Sequence, residues 1–219
     1  MYKRQTYTLT LPTATGSAGQ VLSTNGSGVL SFITAAGGAT SLNGLTDCLV
    51  DTASEYIGTV PAGLSGNPQG NTTLGINAGL DLTTGEDNVF LGQSAGESNT
   101  SGIRNIGIGS YSNFTSTNNY NIGIGYTANY AVTSPFVIGI GDNAFRVGSG
   151  GNGSIGIGSN AARSNSAAYH IALGYQAGYS NTSGTSNTNL GYQAGFTNTT
   201  SGGNTYLGYE TGRNVTGEQ

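Results

Sequence analysis

The most regular feature of the chain is a short pattern of alternating aliphatic and small residues that recurs between residues 72 and 211. Each copy contains a β-branched residue, a variable residue, Leu or Ile, and then Gly. We call these glycines the anchor glycines; 16 or 17 residues separate each from the next, and they are Gly75, Gly92, Gly109, Gly125, Gly141, Gly158, Gly174, Gly191 and Gly208. A short and nearly constant period predicts a solenoid in which each repeat forms one turn, or rung.

The residues before each anchor glycine predict a β-strand with two aliphatic rows. Residues two apart lie on the same face of a strand, and β-branched side chains favour the pleated geometry. No stretch shows the 3.6-residue periodicity of an amphipathic helix. We expect the aliphatic rows to face the inside of the turn. The residue between them, at what we call the middle position, should then face a neighbouring subunit, since several of these residues are small enough for close backbone approach. The middle positions are Thr73, Phe90, Gly107, Gly123, Gly139, Gly156, Ala172, Asn189 and Tyr206.

Two further positions repeat with the anchor glycines. Three residues after each glycine stands a small residue, from Ala78 to Thr211, which we expect to fill a narrow core. Asn occupies one register in six of the nine repeats, at Asn71, Asn88, Asn105, Asn121, Asn187 and Asn204. These amides either hydrogen-bond from rung to rung, as in stacked β-structures, or each closes its own turn.

The pattern divides the chain into three parts. Residues 1–40 contain two alternating runs joined by Asn-Gly-Ser-Gly at 25–28, which predicts a β-hairpin, followed by a Gly/Ala-rich linker at 34–39. Residues 41–70 form a transition in which Tyr56-Ile57-Gly58 is a degenerate capping rung, with Glu55 in the β-branched position. Residues 71–219 form the solenoid of about nine rungs. The expected fold class is therefore all-β.

Composition narrows the function classes. The 219 residues include 39 glycines, 10 acidic and 6 basic residues, for a net charge of −4. Without a basic run we expect no nucleic-acid partner, and without an apolar stretch of about 18 residues or more we expect no membrane insertion. The first residues do not read as a signal peptide, so we expect assembly inside the cell.

The reactive residues do not form a catalytic pattern. Cys48 and His170 are each the single residue of their type, so the usual nucleophile and base pairings are missing. We expect Cys48 to be a buried structural thiol, and His170, which replaces Asn in the repeat, to be a solvent-facing turn residue. The carboxylates Asp81, Glu86 and Asp87 fall in one turn and are expected to be solvated. We predict no enzyme activity, no catalytic residue, no metal site and no cofactor.

Aromatic residues form the one plausible recognition feature. One set follows the anchor glycines directly, at Tyr126, Tyr175, Tyr192 and Tyr209, and another lies five positions after them, at Phe114, Tyr130, Tyr179 and Phe196. Rings in the same register touch at the rung spacing, so they pack against each other or between subunits. Alternatively, they stack on sugars.

The repeat resembles that of a known family. The runs Asn105-Ile106-Gly107-Ile108-Gly109 and Ile171-Ala172-Leu173-Gly174 resemble the repeats of trimeric autotransporter adhesin heads. The resemblance implies a parallel β-roll, with three chains packed about one axis. The family repeat is shorter than the 16 or 17 residues found here. This difference leaves the handedness of the solenoid open.

The segments before the repeats resemble proteins of virus particles. Residues 10–32 are similar to a segment common in phage tail-fibre proteins, and residues 41–58 resemble structural proteins of phages that infect marine cyanobacteria. We therefore expect a virion structural protein, a homotrimeric fibre or spike located on the tail or another appendage. Its N-terminal segment would dock on other virion proteins, and its surface would contact a host glycan or receptor. The alternatives are a capsid-decorating fibre and a cell-surface adhesin module that binds a receptor or glycan.

Overall fold

The computed structural model of the chain describes residues 10–18, 20–34, 48–50, 53–65 and 68–214. Every regular element among them is a β-strand, so the all-β prediction is confirmed. The chain divides into two compact units, Met1–Gly44 and Leu45–Gln219. Residues 35–39 of the predicted linker lie outside the described residues.

The described residues of the first unit contain one antiparallel strand pair. Strand β1 (Gln20–Thr24) pairs with β2 (Leu30–Thr34), in a register that places Thr24 opposite Leu30. The side-chain oxygen of Asn25 accepts a hydrogen bond from the Ser27 backbone N–H at 2.9 Å. This Asx turn is the local chemistry that reverses the chain between the strands.

The second unit is a β-solenoid built on one sheet of eleven strands. Strand β3 (Cys48–Val50) pairs antiparallel with β4, and every later strand pairs in parallel with the strand before it. The parallel strands are β4 (Glu55–Gly58), β5 (Thr72–Gly75), β6 (Val89–Leu91), β7 (Ile106–Ile108), β8 (Ile122–Ile124), β9 (Ile138–Ile140), β10 (Ile155–Ile157), β11 (Ile171–Leu173), β12 (Thr188–Leu190) and β13 (Thr205–Leu207). Gly58 stands opposite Gly75, so the degenerate rung at residues 55–58 keeps the register of the repeat. The predicted solenoid of about nine rungs is confirmed.

The two faces of the sheet are the reverse of the prediction. The middle positions are buried on every rung from β5 to β13, whereas the aliphatic rows on either side are half-buried or exposed. The expectation that the aliphatic rows face the core was therefore wrong. The reason is geometric: the repeated Asn lies two residues before the middle position, on the same strand face, and that face encloses the narrow interior of the turn.

Side-chain sizes are complementary across this interior. Where the middle residue is large, the residue four after the anchor glycine is Gly, as in the pairs Phe90 with Gly96, Asn189 with Gly195, and Tyr206 with Gly212. Where the middle residue is Gly, that position is larger, as in Gly107 with Asn113, Gly123 with Asn129, and Gly139 with Phe145. The small residues three after the anchor glycines are fully buried from Ala78 to Ala194, as predicted.

The anchor glycine is required by both conformation and space. Gly109 has φ +117°, a region that disfavours residues with a Cβ. A Cβ there would lie 2.7 Å from the carbonyl oxygen of Gly125 on the next rung. The close stacking of these corners explains why the glycine recurs at each turn.

The Asn row forms a ladder of hydrogen bonds inside the solenoid. Asn88 Nδ2 donates to Asn71 Oδ1 at 3.0 Å, and Asn105 Nδ2 donates to Asn88 Oδ1 at 3.1 Å. Asn204 and Asn187 repeat this contact at 3.1 Å. Both interpretations of the row apply, because Asn121 Nδ2 bonds within its own turn to Ser116 Oγ at 2.8 Å. These bonds satisfy amides that are otherwise cut off from water.

Candidate functional site

His170 is enclosed in the core, so the expectation that it faces solvent was wrong. Its exposure is 0%, and burial lowers the pKa of its imidazole to about 4. Nε2 lies 2.9 Å from Asn189 Nδ2, and Nδ1 lies 3.2 Å from Asn181 Nδ2. The ring therefore occupies the Asn row as a neutral group held by amides.

The tautomer of His170 follows from its two amide neighbours. A neutral imidazole carries one N–H, so one amide must present its oxygen. Asn181 Oδ1 already accepts from the Gly184 backbone N–H at 3.1 Å, whereas Asn189 Oδ1 is buried without a partner. Exchanging the positions of the Asn189 amide nitrogen and oxygen places Oδ1 beside His170 Nε2. The Nε2–H then donates to this oxygen. Sequestered from solvent, this histidine lacks the access that a general base requires.

The other titratable residues singled out in the sequence are dispersed. Cys48 is buried with a free thiol, as predicted. Asp81, Glu86 and Asp87 are exposed, and Asp87 pairs with Arg104 at 3.3 Å. Within the described part of the chain, no three His, Cys, Asp or Glu residues gather as metal ligands.

The aliphatic rows form a continuous outward surface, which we call the aliphatic face. It comprises the residues before and after the middle position on strands β5 to β13, and its members are Thr72, Leu74, Val89, Leu91, Ile106, Ile108, Ile122, Ile124, Ile138, Ile140, Ile155, Ile157, Ile171, Leu173, Thr188, Leu190, Thr205 and Leu207. Exposure reaches 36% at Ile108, 42% at Leu190 and 66% at Leu207. None of these positions carries a charge. Eight steps of roughly 4.8 Å make this face about 40 Å long.

The aromatic residues stack along the solenoid in register. The rings of Tyr175 and Tyr192 are 5.4 Å apart, and those of Tyr192 and Tyr209 are 5.1 Å apart. Phe114 stacks on Tyr130 at 4.9 Å. Stacking covers both faces of Tyr192 and one face of each of its two neighbours. Packing within the chain therefore accounts for these rows. Tyr126 is an exception and contacts Tyr111 edge-to-face, with centroids 6.5 Å apart.

A third row of rings was not recognised in the sequence. Tyr120 stacks on Phe136 at 4.9 Å, and the Arg104 guanidinium lies 5.6 Å from the Tyr120 centroid. Arg104 also donates to the Tyr120 hydroxyl at 2.8 Å. Arg104, Tyr120 and Phe136 each lie one position before the Asn row in their repeats. This shared position is the sequence signal that could have revealed the row.

Comparison of the chain with protein-family models, curated proteins and solved structures returned no match. Among the described residues, no helix is long and apolar enough to cross a membrane. The surface geometry is therefore the basis for assigning a function.

Proposed function

We propose that this protein is a structural component of a virus particle, a homotrimeric fibre or spike whose solenoids pack through their aliphatic faces. The observation that carries the proposal is the aliphatic face itself, an uncharged strip of Ile, Leu, Val and Thr that the folded chain leaves uncovered. Monomeric soluble proteins rarely expose long contiguous apolar strips, and such strips mark contact surfaces.

A second copy of the same chain is the partner that fits this surface best. The aliphatic side chains repeat at the rung spacing along the whole face, because strands β5 to β13 pair in parallel and in register. Another copy presents the same repeat, so aliphatic rows can interdigitate over many rungs. The absence of charge on the face removes the like-charge repulsion that would oppose self-association.

The remaining parts of the proposal rest on the sequence resemblances. The adhesin-head repeats support three chains about one axis, and the phage-like segments at 10–32 and 41–58 support a virion location with docking through the N-terminal unit. A solenoid held by backbone hydrogen bonds between rungs and by stretches of Asn ladder is a suitable stiff shaft for such an appendage.

Light scattering of the purified full chain tests the assembly. One chain has a mass of 22.0 kDa, so the expected trimer is about 66 kDa. Replacing both Ile108→Asp and Ile157→Asp on the aliphatic face should give a folded monomer. Tyr169→Asp, which alters an exposed ring outside that face, is the matched control and should stay trimeric.

A monomeric or dimeric wild-type chain would contradict the proposed trimer. A trimer that survives the double substitution would show that the chains meet elsewhere. Mass spectrometry of purified particles of the virus that encodes the gene should detect the chain in stoichiometric amounts, and its absence there would overturn the virion assignment.

A further inference from the structure

One row of side chains on the solenoid places two arginines between two pairs of stacked rings. The row lies five residues after successive anchor glycines and runs Phe114, Tyr130, Arg146, Arg163, Tyr179 and Phe196. Phe114 stacks on Tyr130 at 4.9 Å, and Tyr179 stacks on Phe196 at 5.0 Å. The rungs that carry Arg146 and Arg163 are joined by a backbone hydrogen bond, which the N–H of Val147 donates to the carbonyl oxygen of Arg163 at 2.9 Å. Two cationic side chains therefore project from adjacent rungs.

Arg146 lacks the partners that other arginines have. In the described part of the chain, ion pairs form at Arg104 and Arg213, and none forms at Arg146. Arg163 lies over the Tyr179 ring at 5.5 Å, but no ring holds Arg146. Its Nε is buried and has no hydrogen-bond acceptor. A buried N–H of a guanidinium without an acceptor is costly, and an anionic ligand would remove that cost.

Two shallow clefts meet at this arginine. One, of about 290 Å³, is lined by Tyr130, Ala131, Arg146 and Val147. The other, of about 160 Å³, is lined by Tyr111, Tyr126, Thr127, Tyr130 and Arg146. Their shared residues, Tyr130 and Arg146, join them into one groove that an extended ligand can follow.

Tyr126 offers this groove an aromatic face. The ring is 54% exposed, and its edge-to-face contact with Tyr111 covers at most one face. The residues in the same register on the adjacent rungs are Ser110 and Asp142, which carry no ring. Tyr126 therefore keeps a face on which the apolar C–H side of a sugar ring can pack.

We propose that the groove formed by Tyr126, Tyr130 and Arg146 binds an acidic saccharide, a sugar chain that carries carboxylate or sulfate groups. The arginine pairs with the acidic group, since its planar fork matches an oxyanion. The Tyr126 ring packs on the sugar, and the tyrosine hydroxyls bond its hydroxyl groups.

A saccharide fits these groups better than a general polyanion. Arg146 is the single cation among the described residues that line the two clefts, whereas binding of a nucleic-acid backbone depends on several basic contacts. The groove combines this guanidinium with tyrosine hydroxyls and the uncovered Tyr126 ring. This combination suits a sugar ring that carries an acidic group. The inference deepens the proposed function and rests on it, because it supplies the host-surface ligand of the fibre.

Isothermal titration calorimetry of the full chain at low salt tests the proposal with four defined polymers. Polygalacturonate carries carboxylates, dextran sulfate carries sulfates, dextran is neutral, and polyglutamate is a polyanion without sugar rings. We expect at least one acidic saccharide to bind, and dextran and polyglutamate to bind at least tenfold more weakly.

Matched variants assign the binding to the groove. Arg146→Gln and Tyr126→Ala should each reduce affinity about tenfold or more, as expected for loss of a charge-assisted bond or an aromatic contact. Arg104→Gln removes an arginine that is already paired, and Tyr169→Ala removes an exposed ring outside the groove; both should change affinity less than about twofold. Tyr126 is largely exposed, so its variant will fold even where Arg146→Gln does not.

The outcomes separate this inference from the proposed function. Failure of both acidic saccharides to bind, equal binding of polyglutamate, or unchanged affinity in Arg146→Gln and Tyr126→Ala would overturn the saccharide site. Light scattering of the same samples reports the assembly independently. A trimer that does not bind refutes the groove alone, whereas a monomer that binds refutes the trimeric fibre alone.

Discussion

The Phe90 ring occupies the space that Gly96 leaves open on the same rung. A Cβ built on Gly96 would lie 2.5 Å from the ring carbons, and Phe90 is fully buried. On the next rung the relationship is reversed, since Gly107 holds the middle position and Asn113 reaches across the interior to donate from Nδ2 to Ile106 O at 2.8 Å. On each of these two rungs one large group therefore fills the interior at this level, from opposite sides.

Gly96→Ala should destabilise the solenoid by about 2–5 kcal/mol, because it combines overpacking against Phe90 with a left-handed backbone at φ +58°. Gly203→Ala is the matched control, since Gly203 has φ +74° and nothing within 4 Å of a Cβ. It should lose only the backbone cost of about 1–2 kcal/mol. Urea unfolding followed by circular dichroism measures both.

A double-mutant cycle isolates the packing part of this effect. In a Phe90→Ala background, Gly96→Ala should cost no more than the Gly203→Ala control, since the clashing ring is gone. An equal cost with and without the ring would contradict the size complementarity.

Removing one amide from the Asn ladder should also be costly. Asn88 donates to Asn71 Oδ1 and to Gly102 O, and its Oδ1 accepts from the backbone N–H of Asn105 at 2.9 Å. Asn88→Ala leaves several of these buried groups without a hydrogen-bond partner. It should lower the free energy of unfolding by about 2–4 kcal/mol. Asn152→Ala, at an exposed site, should change it by less than about 0.5 kcal/mol. Equal effects in chemical denaturation would argue against the ladder as a source of stability.

His170 should make the solenoid sensitive to mild acid. Burial lowers the pKa of the folded imidazole to about 4 from its ordinary value of 6.5. Between these values the unfolded chain binds the proton and the folded chain does not. The contribution of this histidine to the free energy of unfolding is therefore fully present above pH 6.5. As the pH drops to 4, the free energy of unfolding falls by about 3 kcal/mol.

His170→Asn provides the comparison, since Asn is the usual residue of this row. The difference in unfolding free energy between the two proteins should vary with pH between 6.5 and 4, while the carboxylates contribute equally to both. A difference that stays constant over this range would refute the buried neutral histidine.

Tyr192→Ala should weaken the rungs near β12 by removing two ring contacts. Its ring stacks on Tyr175 and on Tyr209, and such pairs contribute about 0.5–1.5 kcal/mol each. We expect a loss of about 1–3 kcal/mol together with a reduced near-ultraviolet circular dichroism signal. Tyr169→Ala, an exposed ring outside the stacks, should leave stability nearly unchanged. Similar losses in both variants would show that the stacks contribute nothing specific.

The strand and rung assignments could be read from the sequence because they depend on local periodicity. Ile106, Gly107 and Ile108 alternate with period two before an anchor glycine, and that pattern has few structural alternatives. The recurrence of the anchor glycine is explained by the structure, because at Gly109 its φ and its contact with the next rung both exclude a side chain.

The direction of the strand faces could not be read from hydrophobicity alone. The rule that aliphatic residues point inward fails at Ile106 and Ile108 because the turn is too narrow to enclose two aliphatic rows. A better signal was available in the compensating sizes of Phe90 with Gly96 and of Gly107 with Asn113. The burial of His170 was missed for the same reason, since it shares the inward face with the Asn row. The groove at Arg146 depends on contacts between rungs, which no single repeat reveals.

The rung geometry also has a mechanical consequence. Each rung takes up only about 4.8 Å along the solenoid axis, yet it holds 16 or 17 residues. A rung peeled away under tension would extend to roughly 55–60 Å of chain. Pulling on a single solenoid should therefore produce a sawtooth of extensions, in which each rung that yields becomes more than tenfold longer along the axis.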